Sequence, residues 1–192
     1  MPDAKPTSAE WAEGRSWLPR ALILAWVGWM AVTALRDPDY QSVFRGVNFG
    51  IHEFGHIAFG GFGLFVGVLG GSLMQLLVPA LAGLAIFVTQ RDWFSLSVCG
   101  AWFAGSLAEL SRYIGDARAL AMDLVSLGED DGSSEFTGHD WNYLLYKTGH
   151  LQDDLKIAAF CRFVAALILV ASTVHALRLF WLMAKAKPAD GK

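Results

Sequence analysis

Charge is what this chain has least of. Asp, Glu, Lys and Arg make up 17% of its 192 residues, against 54% hydrophobic ones. From Gly46 to Gln90 the only charged side chain of these four types is Glu53. Apolar runs of this kind exclude a soluble globule, because about 20 predominantly apolar residues suffice to cross ~30 Å of hydrocarbon. No basic block accompanies the net charge of −3, which excludes nucleic acid as a partner. Cysteine is nearly missing too. Cys99 and Cys161 lie inside apolar runs, make no CxxC zinc pattern, and are expected to pack rather than pair. A cleavable signal peptide is not expected, since residues 1–16 are polar and acidic and the first apolar run lacks a small-residue cleavage pattern. Internal repeats and low-complexity segments are absent.

The apolar runs predict an all-α fold, a single-domain polytopic membrane bundle of about five transmembrane helices. The expected spans are 17–35, 43–69, 73–89, 93–114 and 157–183, between a polar tail at 1–16 and a C-terminal tail at 184–192. Residues 115–156 form the expected loop and amphipathic region: a surface-lying stretch from Ala117 to Leu127, an acidic loop from Glu129 to Gly138, and a short helix ending near Gly149. Turns are expected at Arg36-Asp37-Pro38-Asp39, Gly70-Gly71-Ser72 and Arg91-Asp92. Gly63, Gly67 and Gly71, four residues apart, offer a groove for a close helix neighbour. The chain is thus expected to be an integral, multi-pass protein of a bacterial-type inner membrane. Its positive charges divide too evenly to orient it, and nothing in the residues specifies an oligomer.

Against this apolar background stands His52-Glu53-Phe54-Gly55-His56. Four residues advance an α-helix by about 400°, so both imidazoles lie on one face and reach one ion, while Glu53 projects about 100° to the side. Two nitrogen ligands and an adjacent carboxylate that takes a proton from an activated water are what a zinc hydrolase of the HExxH type requires. The bland alternative is a helix whose histidines hydrogen-bond to neighbouring helices beside a protonated glutamate. Buried polar groups in lipid need a common partner, which favours the metal. Asn48, one turn before His52, is a candidate hydrogen-bond support or a plain interhelical contact. Gln75, one turn before Pro79, either satisfies the carbonyl that the proline frees or donates to a substrate carbonyl.

Ser106, Glu109, Tyr113 and Asp116 line one face of the fourth expected span, a polar stripe that either faces the bundle interior or emerges into water. His139-Asp140 presents a second choice: Asp140 caps a helix beside a solvated histidine, or His139 folds back over the metal as a ligand or hydrogen-bond donor. His175 is expected to make an interfacial polar contact.

His52, Glu53, Gly55 and His56 within an apolar helix, followed by an intervening helix and then by Tyr113-Ile114-Gly115-Asp116-Ala117, resemble the site-2 protease family of intramembrane zinc metalloproteases. The resemblance covers Val43 to Arg118. It implies that His52, His56 and Asp116 bind zinc and that Glu53 is the general base. The chain departs from the family pattern in having no proline in the fourth span, glycine before the aspartate and alanine after it, and no insertion long enough for a PDZ domain. For the third ligand, Asp116 is preferred because a helix already in the bundle carries it. His139 and Glu109 are the alternatives, and Gln75, Tyr113 or His139 is available to assist at the oxyanion.

The expected function is therefore intramembrane peptide-bond hydrolysis, with Zn as cofactor. Membrane lipid and a transmembrane or membrane-proximal protein substrate are the expected partners. Two rivals use the same residues: a zinc hydrolase acting on a lipid amide or ester, and a non-catalytic membrane scaffold.

Overall fold

The computed structural model describes residues 6–37, 45–122 and 138–186. Every element among them is helical: α1 (Ser8–Ala12), α2 (Leu18–Arg36), α3 (Arg45–Phe59), α4 (Leu64–Gln90), α5 (Trp93–Gly115), α6 (Asp140–Thr148) and α7 (Asp154–Lys185), with single 3₁₀ turns at Gly60–Phe62 and Leu151–Asp153. Three stretches are long and apolar enough to cross a membrane: Leu18–Arg36, Leu64–Gln90 and Leu151–Lys185. Their outward residues are apolar, among them Leu22, Leu81, Val170 and Val174. Such a surface suits hydrocarbon rather than water.

That is fewer than the spans expected, for two physical reasons. α3 has 15 residues and extends only about 22 Å, short of the hydrocarbon thickness. α5, with 23 residues, carries buried Ser95, Ser97, Ser106 and Ser111, polar groups suited to a central helix with neighbours around it. It packs against α7, α4 and α2. The shared core contains Ala34, Leu107, Leu110, Ile114 and Ala165.

The break between the second and third expected spans also moves. It falls at Gly60-Gly61-Phe62-Gly63, where Gly63 has φ +95°, a conformation that costs glycine little and other residues more. Gly70-Gly71-Ser72 is no connection and lies inside α4. Those glycines stay helical because they form the contact with α3: a Cβ on Gly55 would collide with the Gly70 carbonyl, and one on Gly67 would lie 3.2 Å from Gly60 Cα. The pairings of residues 60 with 67 and 55 with 70 make α3 and α4 an antiparallel hairpin. The small-residue groove is therefore filled by the preceding segment of the same chain.

Elsewhere, residues 117–122 are turn and coil rather than amphipathic helix, and α7 begins at Asp154. The N-terminal tail holds α1, whose Trp11 is buried against Leu179 and Met183. Most of the acidic loop, the turn at Pro38-Asp39 and the end of the C-terminal tail lie outside the described residues.

Candidate metal centre

The hairpin presents His52 and His56 to α4, where one hydrogen bond orients each ring. His52 Nδ1 lies 3.2 Å from Gln75 Oε1, and His56 Nδ1 lies 2.9 Å from the Gly67 carbonyl oxygen. Both oxygens only accept, so Nδ1 is the donor in each ring and a neutral imidazole carries its lone pair on Nε2. The two rings stand 4.8 Å apart, nearly perpendicular.

Both Nε2 atoms meet the same carboxylate oxygen, that of Asp140, at 2.8 Å from His52 and 3.3 Å from His56. Two lone pairs and an anionic oxygen converging on one point repel one another unless a proton or a metal ion lies between them. Protonating one ring gives an imidazolium–carboxylate pair with Asp140, and protonating both places two imidazolium ions side by side in a buried site. A divalent ion would satisfy all three groups at once, and nitrogen–nitrogen–oxygen sets of this kind suit zinc. Glu53 stands beside the set, with ligand atoms of His52, Glu53 and His56 within 4.8 Å of one another.

Gly71 closes the back of this site. A Cβ there would lie 2.6 Å from both Nε2 atoms, so the missing side chain leaves room where the nitrogens point. Gly71 lies seven residues into α4, about 10 Å from its start.

α6 delivers Asp140. His139 is the N-cap, its Nδ1 accepting the Asn142 N–H at 3.2 Å. The Asp140 N–H donates to Tyr113 Oη at 2.9 Å. Asn142 Nδ2 donates to the Ala117 carbonyl at 2.7 Å, and Trp141 Nε1 to Ser72 Oγ at 3.0 Å. These bonds dock α6 against the end of α5 and the first half of α4, where Tyr143 and Leu144 pack on Val68.

Several expectations change here. Asp116 does not occupy the place beside the histidines. Its oxygens accept the Ala121 and Met122 N–H groups at 3.0 Å each, and Oδ2 lies 3.5 Å from His139 Nε2. His139 is neither solvated nor at the metal position: it is 1% exposed, stacks 4.3 Å from Tyr113, and burial lowers its proton affinity. Glu109 accepts from Asn48 Nδ2 at 2.7 Å, and Asn48 Oδ1 accepts from Trp102 Nε1 at 3.0 Å, so this pair braces α3 against α5. Gln75 Oε1 faces His52 Nδ1, and Tyr113 Oη accepts the Asp140 N–H. His175 contacts Ser97 Oγ at 2.8 Å, far along the bundle.

Asp140, Gly71 and the Gly67 carbonyl are the participants that the sequence leaves unmarked. An aspartate opening a short helix reads equally as a cap, and a backbone carbonyl has no side-chain signature. Comparison with family models, with curated proteins and with solved structures yields no match, and the site's own chemistry has to carry its interpretation.

Proposed function

We propose that the chain is a membrane-embedded zinc metalloprotease that cleaves a peptide bond within or beside the bilayer. The observation that carries this is the meeting of His52 Nε2, His56 Nε2 and Asp140 Oδ2 at one point with Glu53 alongside. His52, His56 and Asp140 would hold the ion. The chemistry an ion held there would supply is a water with its pKa lowered towards 7 and a polarised carbonyl. Glu53 accepts the proton of the attacking water and returns it to the leaving amine. Gln75 and Gly67 keep both rings in the Nδ1–H form throughout, and Tyr113 keeps Asp140 in reach.

The membrane half of the proposal is supported by α3. Its outward residues Val47, Phe49, Phe54 and Ile57 are exposed and apolar, Ile57 at 77%. A substrate reaching Glu53 along that face travels through hydrocarbon, and its helix must unwind locally to offer a peptide bond. We take α5 as a fourth crossing and α3 as a half-membrane helix closing the hairpin. The likeness to site-2 proteases then concerns the histidine helix alone, since Asp140 replaces the aspartate that the likeness implies.

Reconstituted protein tests this directly. Wild type should hold about one zinc per chain, as a three-ligand site with one open position requires, and should cleave a transmembrane reporter peptide. Glu53→Gln should keep the zinc and lose the turnover, because the amide cannot accept the proton. Equal cleavage by the Gln variant removes Glu53 as base. Turnover confined to a lipid amide or ester assigns the same chemistry to a lipid bond. Protein that takes up no zinc removes the proposal entirely.

A further inference from the structure

The corner where α1 meets α2, at the opposite end of the bundle from α6, gathers cations that no carboxylate answers. Arg15 Cζ lies 4.7 Å from the centre of the Trp11 ring and Arg20 Cζ 5.5 Å from it, so two like charges sit over one indole. Each donates one N–H to a nearby backbone carbonyl, Arg15 Nε to Trp11 at 2.7 Å and Arg20 Nη1 to Ser16 at 2.6 Å. The remaining N–H groups lie at the edge of the guanidinium plane, which contact with a ring face leaves free to donate. Arg15 is exposed and Arg20 half-buried, so both are reached from outside the bundle.

α7 brings two more cations to this level. Its Leu179 and Met183 pack on Trp11. Arg178 and Lys185 beside them are exposed, with Lys185 Nζ 3.9 Å from the centre of the Trp181 ring. The acids of this end do not balance the four. Glu10 accepts from the Thr7 N–H and hydroxyl, and Asp92 accepts the Phe94 and Ser95 N–H groups. Neither these two nor Glu13 forms an ion pair with Arg15, Arg20, Arg178 or Lys185 among the described residues.

Helix length sets their depth. α2 has 19 residues and extends about 28 Å, so it crosses ~30 Å of hydrocarbon only with both ends at the boundaries. Leu18 then stands at one boundary, with Arg15 just outside it and Arg20 within snorkelling reach. The apolar stretch that ends at Lys185 closes at the same level. Trp17 and Trp181, 46% and 56% exposed, supply the amphipathic rings that favour this depth.

We propose that this corner binds the headgroup of an anionic phospholipid, with Arg15 and Arg20 as donors to its phosphate and with Arg178 and Lys185 adding charge. A guanidinium fork matches two phosphate oxygens, and such charge-assisted pairs are about twice as strong as neutral hydrogen bonds. A zwitterionic headgroup carries its own cation, which four unpaired cations repel. The proposal rests on α2 crossing the membrane and is independent of the histidine centre.

Full-length protein in a phosphate-free maltoside detergent tests it. Short-chain phosphatidylglycerol and the phosphatidylcholine with identical chains are titrated, and bound lipid is counted by native mass spectrometry. Phosphatidylglycerol should bind about tenfold or more the tighter, the range expected of a few basic side chains at an anionic surface. Arg15→Gln and Arg20→Gln together should remove most of that preference and leave zinc content unchanged. Lys156→Gln, at the far end of α7 where Asp153 already accepts from the ammonium, should leave the preference as in wild type. Equal affinity for the two lipids, or a preference that survives the double substitution, overturns the proposal. If the double variant does not fold, Arg15→Gln, at an exposed position, carries the comparison alone. Wild-type protein stripped from vesicles by alkaline carbonate overturns the membrane reading itself, and the proposal with it.

Discussion

At the scale of single residues, Asp140 and Asp116 are the discriminating pair. Asp140 touches both imidazoles, whereas Asp116 reaches them only through His139 and the chain that follows it. Asp140→Ala should therefore lower zinc affinity by more than about 100-fold and Asp116→Ala by about tenfold, the range for outer partners of metal ligands. Chelator competition on purified variants measures both, and the reverse order would restore Asp116 as ligand. Gly71→Ala is the sharper test of geometry. Its new Cβ would lie 2.6 Å from both Nε2 atoms, so zinc binding should be lost while the helix, in which alanine is the better former, is retained. Circular dichroism beside metal analysis separates the two effects. Unchanged zinc content in the alanine variant would mean that the nitrogens do not converge there.

At the scale of elements, α6 has nine residues, too few for a helix that stands alone in water. Its place depends on docking, through the His139 cap, the Asn142 bond to Ala117 and the Trp141 bond to Ser72. Trp141→Phe keeps the ring and loses the hydrogen bond, so amide exchange across residues 140–148 should accelerate and zinc affinity should fall several-fold. Exchange unchanged from wild type would show that the Trp141 bond does not hold α6. α1 is held differently, by a capping box in which Thr7 Oγ1 accepts the Glu10 N–H and Glu10 accepts the Thr7 N–H at 2.6 Å. The Thr7 N–H and hydroxyl, both donating to the Glu10 carboxylate, lower its pKa from 4.5. A group depressed in the folded state contributes stability above its unfolded value and loses it as pH falls through the folded one. α1 should therefore loosen below about pH 4.5, seen as a change in Trp11 fluorescence that Glu10→Gln brings on already at neutral pH.

At the scale of the molecule, the candidate centre joins α3, α4 and α6, so a bound metal would be linked to the fold. Free zinc at 1,000 times its Kd should stabilise the protein by about 4 kcal/mol. Chelation should lower the melting temperature accordingly, and His52→Ala should erase the difference between chelated and loaded protein. A melting temperature indifferent to chelator would show that no ion bridges the three helices. The sequence by itself determined what is local. Apolar runs mark α2, α4 and α7, because hydrocarbon length and residue hydropathy act on contiguous residues. The i, i+4 step pairs His52 with His56 through helix geometry alone. Which glycines break the chain was a tertiary decision: Gly63 turns it at φ +95°, while Gly70 and Gly71 stay helical because α3 packs on them. The candidate third donor was tertiary as well. Asp140 lies 88 residues from His52, beyond any helical period. Hydrogen bonds from Asp140 to Tyr113, from Asn142 to Ala117 and from Trp141 to Ser72 bring it to the histidines. Asp116, closer in sequence and carried at the end of a bundle helix, is instead turned towards the backbone at residues 121 and 122, whose N–H groups its oxygens satisfy.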